Sequence, residues 1–185
     1  MSSSASRRAR AQKEKLQRKL EREEIVLEFA YPPGVLQYQG PIITTDLTVA
    51  AAHREALEHA GLPIPPPVQC HFLLDTGSDA TVVKHEFAVR AGLKLISENV
   101  PLHGVGIDTT GKAYIGRIAF GHRSKIVAGA VHSMFVDTQI LSGTLAVDVI
   151  DGIIGRDVLR HFHFSYDGKT GIVRMKYHRP QPVAG

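Results

Sequence analysis

The 185-residue sequence has a single cysteine and no tryptophan. One thiol, Cys70, excludes an internal disulfide and any metal centre built on several cysteines. It lies two residues before an apolar run, where it reads as a small packed side chain rather than a nucleophile. No apolar stretch approaches the roughly 20 residues that a membrane-spanning helix requires. The arginines of residues 1–10 are followed by no apolar segment, so a secretory signal is not expected there. These absences lead to the expectation of a soluble, cytoplasmic protein that works without contact with a membrane.

Excess charge is also missing from most of the chain. Residues 1–24 carry eight Lys/Arg against four Glu, which accounts for the whole net charge of +4; the remaining 161 residues hold 14 basic and 14 acidic groups. A basic pI therefore says little about the body of the protein. Nucleic acid is not expected as a partner, except through the basic tail alone. Hydrophobic residues at 43% and charged residues at 22% fit a globular domain with a buried core.

Three segments are expected: a charged extension over 1–34, a folded domain over 35–178 and a tail over 179–185. Residues 11–24 are strong helix formers with only Leu16 and Leu20 as a thin apolar stripe. Pro41–Val49 is rich in β-branched residues and predicts a strand. Ala50–Ala60 predicts a short helix, stopped by Gly61 and Pro63. Further strands are predicted over Val68–Leu74, Thr81–Val83, Ile126–Val136 and Thr144–Ile150, with a brief helix near His85–Ala91. Pro101–Ile107 and Lys112–Phe120 read as two arms of a hairpin joined by Asp108-Thr109-Thr110-Gly111. A short helix is expected from Arg156, and a last hairpin turn at Asp167–Gly171. Many short strands at this spacing predict a mostly β protein, closed or sandwich-like.

Two segments carry the chemistry. In Phe72-Leu73-Leu74-Asp75-Thr76-Gly77-Ser78-Asp79, an acid sits between an apolar strand and a tight turn. A desolvated but ionisable carboxyl is a functional candidate, although an Asp that merely opens a turn reads the same way in isolation. The second segment is Ile153-Ile154-Gly155-Arg156-Asp157, an apolar strand, a glycine and an Arg-headed helix.

Together, in this order and with a hairpin between them, the two segments resemble the retropepsin-like aspartic proteases over roughly residues 36–177. The resemblance implies an acid-protease barrel with a flap hairpin and a short C-terminal helix. It makes Asp75 the catalytic acid of an aspartic endopeptidase, supported by Thr76, Gly77 and Ser78. Thr76 would bond across a dimer, Gly77 would leave room for substrate, and Ser78 would donate its hydroxyl to the carboxylate. Asp79, Gly106, Ile107 and Ile154 are expected at the substrate, and the flap tip near Gly106–Gly111. Asp79 and Arg156 are also expected to form an ion pair. Asp157 stands where many viral members have Asn.

An aspartic protease needs two acids, and this chain has one Asp-Thr-Gly. Asp137-Thr138-Gln139 lacks the glycine, and Asp108-Thr109-Thr110-Gly111 falls in the hairpin. A C2 homodimer acting on polypeptide is therefore implied, with no cofactor and no metal. The rival reading is a non-proteolytic dimer of the same fold that binds or scaffolds other proteins. His161-Phe162-His163 offers two imidazoles but no third ligand, Gly104-Val105-Gly106 lacks the context of a phosphate loop, and Ser78 and Ser133 lack a nucleophile elbow.

Overall fold

The computed structural model describes residues 8, 10–15, 24–32, 34–104, 107–123, 131–145 and 147–177. Its strands are β1 (Val26–Ala30), β2 (Ile42–Val49), β3 (Val68–Leu74), β4 (Thr81–Lys84), β5 (Lys94–Gly104), β6 (Ile107–Arg123), β7 (Val131–Gly143), β8 (Gly152–Ile154), β9 (Phe162–Asp167) and β10 (Ile172–Tyr177). Its helices are short: α1 (Val35–Gln39), α2 (Ala51–His59), α3 (His85–Arg90) and α4 (Arg156–Leu159). Residues 10–15 are also helical.

The larger sheet runs β2-β3-β8-β4-β7-β6-β5, and β2 also pairs with β6. That second pairing, from Asp46↔Ala119 to Val49↔Gly116, closes six strands into a barrel and leaves β5 outside it. The mostly β, closed-barrel expectation holds. Closure follows from alternation: Ile43, Leu47 and Val49 on β2, and Val68, Cys70, Phe72 and Leu74 on β3, point inward. Phe72 is fully buried, a position at which truncation to alanine typically costs about 3–5 kcal/mol.

A second, three-stranded sheet runs β1-β10-β9. Val173 and Met175 of β10 join the core, and Phe162 meets Phe120 of the barrel edge-on at 5.3 Å. The β9–β10 turn falls where Asp167–Gly171 predicts it. The Asp167 carboxylate accepts the backbone N–H groups of Lys169 and Thr170 at 3.0 and 3.1 Å, the local bond that makes Asp a turn residue.

Several expectations shift. The strand β1, paired along its length with β10, lies inside the segment expected to be an extension, and Ile25 and Leu27 are core residues. The folded body thus starts before residue 34. The expected hairpin turn at Asp108–Gly111 is part of β6: His103 pairs with Asp108, Leu102 with Thr109, Pro101 with Thr110 and Val100 with Gly111. Gly111 is there for close approach rather than for turning, since a Cβ on it would lie 2.1 Å from the Ser142 carbonyl oxygen. Residues 105 and 106 lie outside the described set.

The described residues of Thr144–Ile150 form no strand. β7 ends at Gly143, and Val147 and Val149 are exposed and join neither sheet. β7 covers the second half of the predicted Ile126–Val136 strand, whose first residues lie outside the described set. Among the described residues, no helix is long and apolar enough to cross a membrane.

Candidate active site

The two motif segments meet at the centre of the barrel sheet. β3 and β4 are consecutive in sequence but not paired; β8 fills the slot between them. It runs parallel to β3 (Leu73↔Ile153, Leu74↔Ile154) and antiparallel to β4 (Val82↔Ile153). The chain leaving β3 must therefore arch over the end of β8 to reach β4. Residues 75–80 are that arch, and Asp75 is its first residue.

Its geometry is fixed by backbone contacts. The Asp75 N–H donates to the Ile154 carbonyl at 3.0 Å, and the Arg156 N–H donates to the Ser78 carbonyl at 2.9 Å. The Gly77 N–H donates to Asp75 Oδ1 at 2.8 Å, orienting the carboxylate. A Cβ on Gly77 would sit 3.1 Å from that same oxygen, so any larger residue crowds the acid. Gly155 lies under the far end of the arch, where a Cβ would come within 2.4 Å of the Ala80 carbonyl oxygen. Gly155 is thus required by close approach of backbone, and Gly77 relieves crowding at the acid.

Asp75 is half-buried, between buried Leu74 and exposed Thr76. Among the described residues, the Gly77 N–H is its side chain's hydrogen-bond partner. The carboxylate is held on one side and open on the other, which leaves it able to take or give a proton. Alternation along β3 puts Leu73 on the face of Asp75. The register brings Ile153 and Val82 beside it, and all three are half-buried. An apolar row therefore borders the acid.

Arg156, the first residue of α4, holds the arch at its middle. Its Nη1 donates to the carbonyl oxygens of Thr76 at 2.8 Å and Gly77 at 2.9 Å. Asp157 beside it accepts the hydroxyls of Thr81 at 2.9 Å and Thr138 at 2.8 Å. Thr81 Oγ1 in turn accepts the Gly155 N–H at 3.3 Å.

Three of the expected roles change. Arg156 makes no ion pair with Asp79, which is exposed; the guanidinium reaches the nearer carbonyls of the arch instead. Ser78 donates to the Ala80 carbonyl at 2.7 Å and not to Asp75, closing a local turn. Ile154, expected at the substrate, is fully buried in the core. Its neighbour Ile153 faces the acid, and counting parity from Asp75 through the β3–β8 register would have found it. Gly106 lies outside the described residues, and Ile107 pairs with Gly104 at the end of the hairpin. The Asp157 network was not anticipated, because nothing in the sequence marks which threonines lie on facing strands.

Among family models, the one described as aspartyl protease matches residues 66–158, the stretch that contains the arch, the hairpin, β8 and most of α4. The chain belongs to this retropepsin-like aspartyl protease family. No curated protein matches it. In this member of the family, Asp75 of the Asp-Thr-Gly segment stands at the head of the arch. An open cavity of about 380 Å³ lies elsewhere, lined in part by Lys84, His85, Lys112 and Ser142. It sits at the opposite end of β4 from Asp75. Among the described residues no three His, Cys, Asp or Glu side chains gather as metal ligands. His161 precedes β9 and His163 lies on it; burial, then the charge of Arg160, lowers the His161 pKa.

Proposed function

We propose that the protein is an aspartic endopeptidase whose active unit is a homodimer, with Asp75 of each copy forming one catalytic pair. The observation that carries this reading is a half-exposed Asp75, held by one backbone N–H on one side and open on the other, in a chain with a single Asp-Thr-Gly. Two carboxyls brought close cannot both ionise, so they share one proton, as is characteristic of aspartic proteases. The ionised carboxylate takes a proton from water as the water oxygen attacks the scissile carbonyl carbon. The protonated partner gives its proton to the carbonyl oxygen. Collapse of the tetrahedral intermediate then expels the amine, which receives a proton as the C–N bond breaks.

The remaining parts fit these steps. Exposed Thr76 is free to bond to its counterpart beneath the pair. An extended polypeptide lies along the arch, its backbone N–H groups reaching Asp79 and its side chains the row of Leu73, Val82 and Ile153. The β5–β6 hairpin closes over it as a flap. The buried, unpaired thiol of Cys70 suits a reducing compartment such as the cytoplasm.

Asp75→Asn keeps the shape of the side chain and removes the proton. It should abolish cleavage of a peptide library while leaving the circular dichroism spectrum unchanged. Cleavage by the variant at the wild-type rate would overturn the assignment.

A further inference from the structure

We propose that Asp157 is a positioning residue for Asp75, coupling the hairpin sheet to the catalytic arch; this rests on the peptidase reading above. Asp157 is half-buried on α4 and touches neither Asp75 nor the face along which substrate would lie. It receives one hydroxyl from each of two strands: Thr81 of β4, at the exit of the arch, and Thr138 of β7. Thr81 is fully buried, so its hydroxyl must find its partners inside the protein, and Asp157 and the Gly155 N–H are those partners.

A continuous set of contacts follows. Thr138 pairs with Gly116 of β6, the strand whose first half forms the hairpin. Asp157 ties Thr138 to α4. Its neighbour Arg156 donates to the Thr76 and Gly77 carbonyls, and the Gly77 N–H orients the Asp75 carboxylate. β7 is thus linked through Asp157 and Arg156 to the peptide that aims the acid. The two carboxyl oxygens suit the role because each accepts one threonine hydroxyl. Asn offers one acceptor oxygen and an amide that donates to the second hydroxyl, so it can keep both links with one of them reversed.

The test uses the full-length protein and four variants: Asp157→Ala, Asp157→Asn, Thr138→Val and, as a surface control, Glu55→Ala at an exposed position of α2. Cleavage of one peptide gives kcat and KM, and circular dichroism gives the folded fraction. Asp157→Ala should lower kcat per folded molecule by about 10- to 100-fold, the scale of a small misplacement of catalytic groups, with KM changed less than about threefold. Thr138→Val should lower kcat in the same direction, and Asp157→Asn should restore it to within about threefold of wild type. If Asp157→Ala proves too unstable to assay, Thr138→Val and Asp157→Asn decide the matter. A wild-type kcat per folded molecule in Asp157→Ala, or in Thr138→Val, would overturn the proposal. So would an Asp157→Asn variant as impaired as the alanine. An inactive wild type would instead strike at the peptidase reading.

Discussion

Arg156 Nη1 donates to the carbonyl oxygen of Thr76 at 2.8 Å, so the helix is joined to the backbone of the Asp75 arch and not to an acidic side chain. This distinguishes two accounts of Arg156. Bonds from a charged donor contribute about 1.5–3 kcal/mol when sheltered, and these are solvent-exposed. Arg156→Ala should therefore lower the unfolding free energy by about 1–2 kcal/mol. Asp79→Ala should change it by less than about 0.5 kcal/mol, as surface substitutions usually do. Equal losses from the two variants in denaturant titration would restore an Asp79–Arg156 ion pair.

Ile153 and Ile154 are adjacent but face opposite ways. Ile154→Ala removes a fully buried side chain and should cost about 2–5 kcal/mol. Ile153→Ala should cost less, and should shift the side-chain preference or KM of cleavage. Thermal melts and a peptide panel on both variants check the assignment; a larger stability loss at Ile153 would reverse it.

The chemistry of the family was legible in the sequence, because Asp75-Thr76-Gly77 and Ile153-Ile154-Gly155-Arg156 place the glycines where backbone and carboxylate crowd. Strands with clear alternation, Pro41–Val49 and Val68–Leu74, were legible within a residue. What was hidden depends on partners distant in sequence. Gly111 reads locally as a turn glycine and is explained only by the Ser142 carbonyl across from it. Val147 and Val149 alternate like a strand but stay exposed and join neither sheet. Val26–Ala30 looks like part of a charged extension until β10 supplies its partner. The bond from Arg156 to the arch in place of Asp79 is likewise set by how the turn curls, which no spacing encodes.

Alkaline pH should weaken the fold. Burial, reinforced by the charges of Asp151 and Asp46, pushes the Cys70 thiol from its ordinary 9.0 up to about 12. Burial raises the Tyr31 hydroxyl, which donates to the Ile42 carbonyl, from 10.0 to about 12. Both groups ionise more readily in the unfolded chain, so the native state binds more protons between the two values. Their contribution is full below about pH 9 and is lost as pH rises toward 12. The melting temperature should fall across that window, and the fall should be shallower in Cys70→Ala and Tyr31→Phe. A flat profile, or variants with an undiminished slope, would contradict these environments.

The central claim is that one active site uses Asp75 from two chains. Wild type and Asp75→Asn, mixed in denaturant, refolded together and assayed at constant total concentration, measure this directly. If each site needs two Asp75 carboxyls, mixed dimers are inactive and activity follows the square of the wild-type fraction. An equal mixture would then retain about one quarter of the wild-type activity. Retention of about one half, with activity linear in the wild-type fraction, would show that each chain carries a complete site and would contradict the shared pair.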